Sequence, residues 1–206
     1  MAYFYRRSAS EVKAVEKEAA RYSGCKLSDL ENDASLKKLV FESCKKLNAL
    51  LMPQLVYQEY DLSIEKAESG VTCISFADVK LESQDLGKNL ENCKKIVLFA
   101  GTVGPMVDRA IKRAQNDGSA EAAVMQGTGA MFIESFVDDF NEHISEEYRQ
   151  KGMKTHPRYS PGYGDVPLEI QKEFFRLLPC EKIGLTLMES LIMAPEKSVT
   201  AFIGVE

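Results

Sequence analysis

Ile96-Val97-Leu98-Phe99-Ala100-Gly101-Thr102-Val103-Gly104-Pro105 is the stretch that decides the fold. Its first five residues are apolar without alternation, the pattern of a strand buried on both faces. Gly101, Gly104 and Pro105 then turn the chain into a helix, on which Val107, Ala110, Ile111 and Ala114 recur at helical spacing. A strand, a glycine turn and a helix start invite a phosphate-loop reading. No Gly-Lys-Ser/Thr follows and no Gly-x-Gly-x-x-Gly is present, so a nucleotide phosphate loop is disfavoured.

Upstream, Val56, Tyr60, Leu62 and Ile64 occupy even positions, Gly70 breaks the run, and residues 71–81 are rich in strand formers. These give two or three strands, antiparallel where the links are short. Residues 83–92 read as a short helix. Two helices precede the strands. The first has capping-box spacing at Ser8 and Glu11, apolar Val12, Val15, Ala19 and Tyr22, and Gly24 at its end. The second has the same spacing at Ser28 and Glu31, an apolar stripe from Leu36 to Leu51, and Pro53 as its stop.

Downstream, residues 119–149 form the longest periodic segment, with Phe132, Ile133, Phe136, Val137, Phe140 and Ile144 on one face. Gly127 and Gly129 in that helix point to close approach of another backbone, because glycine there otherwise costs about 1 kcal/mol. Glu134 falls at the edge of the apolar stripe, where a carboxylate can be half-covered and still reach a cleft. Its bland reading is a solvated flank charge. Residues 166–178 read as a helix with Asp165 as N-cap and Pro167 in its first turn. Residues 183–193 and 198–205 read as two closing strands around the Pro195-Glu196-Lys197 turn. Strands this late must join a sheet already begun. The expected class is α+β, a mixed, largely antiparallel sheet with packed helices in one domain over residues 1–206.

The loop between the long helix and the next carries Arg158-Tyr159-Ser160-Pro161-Gly162-Tyr163-Gly164-Asp165. Proline and two glycines exclude a helix interior. Arg158 offers a planar fork of donors suited to a carboxylate, and Tyr163 a flat apolar face with a polar tip. The plain alternative is a turn whose arginine caps a neighbouring helix. His156, before a proline, reads as a surface residue.

Composition narrows the function. The chain has 206 residues, 45% of them hydrophobic, and a net charge of −5, enough for a real core but with no basic cluster to suit a phosphate backbone. No apolar run approaches the roughly 18 residues that span a membrane, and the first residues do not resemble a signal peptide. A cytoplasmic protein is expected. The five cysteines are widely spaced and never in a Cys-x-x-Cys pair, so reduced thiols are expected rather than disulfides or zinc. There are two histidines, too few for a metal centre without carboxylates. No nucleophile elbow, Ser/His/Asp set or His-Glu-x-x-His appears. A shaped loop without catalytic apparatus suits the positioning of a reactive ligand.

Arg158-x-x-x-Gly162-Tyr163 resembles the Arg-x-x-x-Gly-Tyr signature of the activation domain of cobalamin-dependent methionine synthase. Three further segments agree in order. The run from Phe99 to Arg109 resembles small stand-alone relatives. Ile133-Glu134-Ser135-Phe136 resembles a helix segment of the fused domain. Gly184 to Ser190, with Pro195 and Ser198, resembles its closing strands. The likeness covers residues 96–204, and residues 1–95 resemble the stand-alone type alone.

The resemblance implies a reactivation subunit. Such a domain binds S-adenosylmethionine and docks over the cob(II)alamin of a methionine synthase carried on another chain. Flavodoxin or a similar donor supplies the electron for reductive methylation. By position, Arg158 would hold the ligand carboxylate and Glu134 its ammonium. Backbone around Ser160 and Gly162 would meet the adenosyl part, and Tyr163 would face ligand and corrin. Met188 stands where the family has threonine. Two alternatives stay open: a module capping a corrinoid protein without binding S-adenosylmethionine, and a direct methyltransferase of a small acceptor.

Overall fold

The computed structural model describes residues 1–66, 70–116 and 120–206. Among these residues, eight strands run in the order β1 (Tyr3–Arg6), β2 (Gln54–Lys66), β3 (Thr72–Phe76), β4 (Val79–Glu82), β5 (Lys95–Thr102), β6 (Thr186–Leu187), β7 (Met193–Ala194) and β8 (Ser198–Val205). Seven α-helices accompany them: α1 (Glu16–Tyr22), α2 (Leu27–Asn32), α3 (Ala34–Asn48), α4 (Gln84–Asn89), α5 (Pro105–Asn116), α6 (Ala120–Gln150) and α7 (Gln171–Leu177). The main sheet has the order β4-β3-β2-β5-β8, with β1 also on β2, and every pairing is antiparallel.

β2 is the hinge of this sheet. Its first half, from Gln54 to Asp61, pairs with β5, and its second half, from Leu62 to Lys66, pairs with β3. β5 is its centre. Ile96, Val97, Leu98, Phe99 and Ala100 have no solvent exposure, as the unbroken apolar run requires. Alternate residues feed two cores. Val97 and Phe99 pack with Leu55, Ala201 and Ile203 under α1, α3, α5 and α6. Ile96, Leu98 and Ala100 pack with Phe76 and Phe202 under α4, α7 and the segment around Ile183. Phe140 of α6 is the aromatic centre of the first core, 5.2 Å from Phe99 and 5.1 Å from Tyr57 between ring centroids. Phe202 is that of the second, 4.7 Å from Phe174.

Gly127 explains why α6 lies so close to α1. A Cβ built there would stand 2.4 Å from the Ser23 amide nitrogen and 2.8 Å from the Ala19 carbonyl oxygen. At Gly129 the neighbours are side-chain ends instead, Lys197 Cε at 3.0 Å and Ile111 Cδ1 at 3.1 Å. The backbone approach expected of both glycines therefore holds for the first alone.

Several local expectations need correcting. The Ser8–Glu11 capping box exists, but it closes a single 3-10 turn, and α1 starts later, at Glu16. Ser28 lies inside α2. Asp33 starts the long second helix instead, accepting the Ser35 and Leu36 amides at 2.8 and 3.1 Å. Residues 166–178 hold a 3-10 turn before α7, with Pro167 at its N-cap. Residues 183–193 are not one strand. A 3-10 turn (Cys180–Ile183) ends at Gly184, whose φ is +68°, and the chain then folds into the small β6–β7 hairpin. Only β8 joins the main sheet.

The free edge of β8 is covered by the loop after α6. Lys154 and Glu206 exchange amide hydrogen bonds at 2.9 and 2.8 Å, the His156 amide donates to the Gly204 carbonyl at 2.9 Å, and Tyr159 and Phe202 exchange a further pair at 2.9 and 2.8 Å. Paired backbone thus blunts the sheet edge and sets the following residues against α6.

Candidate functional site

Arg158 leaves that sheet-edge segment pointing at the middle of α6. Its Nη2 donates to Glu134 Oε2 at 2.6 Å and its Nη1 to Asp138 Oδ1 at 2.6 Å. The two carboxylates are four residues apart, which puts them one turn apart on the same helix face. The arginine therefore does not cap a helix end. It bridges side chains far from the α6 termini. About a quarter of the Arg158 side chain is exposed, against 37% of Glu134 and 63% of Asp138. Burial opposes the guanidinium charge, but Asp138 and Glu134 outweigh it and hold its pKa above the ordinary value.

Glu134, Arg158, Tyr159, Ser160, Tyr163 and Val199 line one open cleft of about 230 Å³. Four of the five residues expected at a ligand site thus meet there. The fifth, Gly162, shapes the loop. Its φ is +85°, its amide donates to the Val166 carbonyl at 3.0 Å, and a Cβ would press on Leu168 at 3.2 Å. That amide is engaged within the turn and not turned to the cleft. Tyr163 follows with 72% exposure, a ring held out at the cleft mouth. A larger hollow of about 620 Å³ lies over the bend of β2, but Glu59 there is already held by Lys95 at 2.6 Å and by the Tyr148 hydroxyl.

Asp165 fixes the far end of the loop. Instead of capping the helix that follows it, its carboxylate accepts from the Gln84 amide at 2.6 Å, the Asp85 amide at 3.3 Å and the Ser83 hydroxyl. Ser83 in turn caps α4 by accepting the Leu86 amide at 3.0 Å. These bonds, the Ser83 hydroxyl first, hold the Asp165 carboxyl below its usual pKa. Gly164 lets the chain pass here. A Cβ on it would stand 2.3 Å from the Tyr159 hydroxyl and 2.6 Å from an Asp85 oxygen.

His156 is packed rather than free at the surface. Its Nδ1 lies 2.6 Å from the Asn89 carbonyl and its Nε2 3.2 Å from Glu206. No group of three metal-ligating side chains occurs among the described residues. The amides after β5 are also engaged, Val103 with the Lys197 carbonyl at 3.2 Å and Gly104 with the Thr102 hydroxyl at 3.1 Å, so they do not form a phosphate cradle. All five cysteines are free, and no described helix is long and apolar enough to cross a membrane.

Asp138 is the residue that sequence reasoning missed. The signal was available, since it lies one turn beyond Glu134 on the same wheel.

No protein-family model matches this sequence, and no curated protein matches it. Among solved structures the chain is similar to a crystal structure of the MetH reactivation domain bound to AdoHcy, with a TM-score of 0.71 and 17% identity, over 99% of this chain and 78% of that one. The fold of that reactivation domain is the fold described above.

Proposed function

We propose that this chain binds S-adenosylmethionine at the Arg158–Glu134 cleft and serves as a reactivation subunit for a corrinoid-dependent methionine synthase on another chain. The observation that carries the reading is the Arg158–Glu134 pair itself, at 2.6 Å across the cleft. An α-amino acid end group brings one carboxylate and one ammonium. Entering the pair, it exchanges one ion pair for two, the carboxylate on the Arg158 fork and the ammonium on Glu134. The shared fold supports the reading, because the neighbour with that fold holds AdoHcy.

The cleft volume supports a partial enclosure of the ligand. At about 230 Å³ it falls short of the roughly 300–1,000 Å³ that encloses a drug-sized ligand. It seats the amino-acid end and leaves the adenosyl part and the methyl group toward Tyr163, where a partner surface would cover them. The corrinoid, when bound on that partner, would supply the chemistry: one-electron reduction by a flavodoxin-type donor and then methyl transfer. The tasks of this chain are to bind, to orient the methyl group and to exclude water.

One observation favours a second reading, a cap that docks on a corrinoid protein without ligand. Both terminal nitrogens of Arg158 are already paired with protein carboxylates. Calorimetric titration with S-adenosylmethionine, beside Arg158→Ala, separates the two. Loss of a charge-assisted pair costs about 1.5–3 kcal/mol, a weakening of roughly ten- to a hundredfold. That weakening supports the reactivation subunit. No binding, with or without the corrinoid partner, supports the cap.

A further inference from the structure

We propose that Lys197 is a reactive amine, a covalent site at which a small aldehyde condenses to a Schiff base in a cavity separate from the Arg158–Glu134 cleft. The cavity, of about 240 Å³, lies between α5, α6 and the turn that leads into β8. Asp108, Ile111, Gln126, Glu196 and Lys197 are in its lining, and it shares no lining residue with the cleft. Its volume is below the roughly 300 Å³ at which pockets for drug-sized ligands begin, and suits a compound of a few carbons.

The surroundings of this lysine differ from those of a solvated one. Its stem passes α6 where that helix has no side chain. A Cβ at Gly129 would stand 3.0 Å from Lys197 Cε and 3.3 Å from Cδ. Its amine ends on a neutral partner, with Nζ donating to Gln126 Oε1 at 2.5 Å. Among the described residues no carboxylate oxygen lies within ion-pair reach of that nitrogen, and Glu196 is turned to Lys112 at 3.6 Å. The backbone beneath is fixed. The Lys197 carbonyl accepts the Val103 amide at 3.2 Å, and the Asp108 carboxylate accepts the Glu196 amide at 2.6 Å. Burial disfavours the ammonium and pushes the Lys197 pKa down, with Asp108 and Glu196 offsetting it in part. The neutral amine is the nucleophilic form, and a covered lysine reaches it more readily than an exposed one.

In the reaction the Nζ lone pair attacks the carbonyl carbon and the π pair moves to oxygen. A proton passes from nitrogen to that oxygen, giving a carbinolamine. The C–O bond then breaks, the hydroxyl leaves as water with the second nitrogen proton, and C=N forms. One amine and one aldehyde give one imine and one water, with no oxidant or reductant.

The test treats the full chain with limiting propanal and cyanoborohydride, which traps the imine as a secondary amine, and follows each lysine by peptide mass spectrometry. Lys197 should be alkylated at least about 3-fold faster than Lys88, whose side chain is 78% exposed. Gln126→Glu, nearly the same shape, sets a carboxylate against Nζ and keeps it charged. It should slow Lys197 about 10-fold and leave Lys88 unchanged. Coincident thermal unfolding of the two proteins excludes a folding effect. Lys197 labelling no faster than Lys88 in wild type overturns the inference, whatever the variant does. An equal Lys197 rate in Gln126→Glu also overturns it, since mere access would not sense the new charge. Both readouts are independent of S-adenosylmethionine, so their failure leaves the reading of the cleft standing.

Discussion

The Asp165 carboxylate accepts the Gln84 amide at 2.6 Å, joining the end of the cleft loop to the first turn of a helix that lies 81 residues earlier in the chain. A side chain that satisfies two orphan amides at a helix start acts as a cap wherever it comes from. Asp165→Ala is therefore expected to lower stability by about 1 kcal/mol, up to about 2. It should also loosen the loop, weakening ligand binding with Arg158 intact. Urea unfolding and amide exchange at residues 84–86 check this. Unchanged exchange there would show that the contact holds nothing.

Acid should act through a second tether. Asp139 accepts Arg7 Nε at 2.7 Å and the Tyr5 hydroxyl at 2.6 Å, fixing β1 to α6. Burial alone would raise its pKa, but Arg7 and Tyr5 outweigh burial and lower it. A carboxyl depressed in the folded state adds stability above its unfolded pKa, about 3.9 for aspartate, and loses it as pH falls through the folded value. Stability should thus decline from about pH 4 downward. Asp139→Asn should be less stable at neutral pH and decline less steeply. Parallel curves would remove Asp139 from the account.

The two glycines of α6 should respond differently to the same change. At Gly127 a methyl group meets backbone of α1 at 2.4 Å, which cannot move aside. The overpacking, about 3 kcal/mol, exceeds the roughly 1 kcal/mol gained in helix propensity. Gly127→Ala should lose about 2 kcal/mol net. At Gly129 the neighbours are the flexible ends of Lys197 and Ile111, so Gly129→Ala should range from neutral to about 1 kcal/mol more stable. Equal effects at both positions would contradict the packing described.

Thiol chemistry offers a reading of intact cores. Burial pushes Cys44 and Cys93 up to about 11 and Cys180 up to about 12, and all three are buried, whereas Cys25 and Cys73 are partly exposed. A neutral aromatic disulfide reagent should label Cys25 and Cys73 in the native protein and the other three only on unfolding. Fast native labelling of Cys180 would mean that the core around α7 opens.

The large elements were legible because their signals are local and repeated. The apolar run of β5 is unbroken and the stripe of α6 keeps one dominant period, and the structure follows both. The capping of α4 by Asp165 was not legible. A sequence reading assigns a carboxylate to the nearest helix start, and the true partner is set by how the sheet edge returns the loop. The break at residues 183–193 was missed for a related reason. Strand-forming residues surround Gly184, but its left-handed backbone and the short hairpin override them. Glu134 and Arg158 could be nominated by residue type, whereas only the fold shows that they touch.

β8 has a consequence for the order in which this protein matures. It pairs along the whole of β5 and also holds the segment from Lys154 to Tyr159 that aims Arg158. While residues 198–205 are still inside the ribosome, neither that edge nor the cleft can exist, although all cleft residues but Val199 have already emerged. A nascent chain would therefore leave both hydrophobic cores open at the places of Ala201, Phe202 and Ile203 until these strand residues arrive, with apolar surface exposed over that interval.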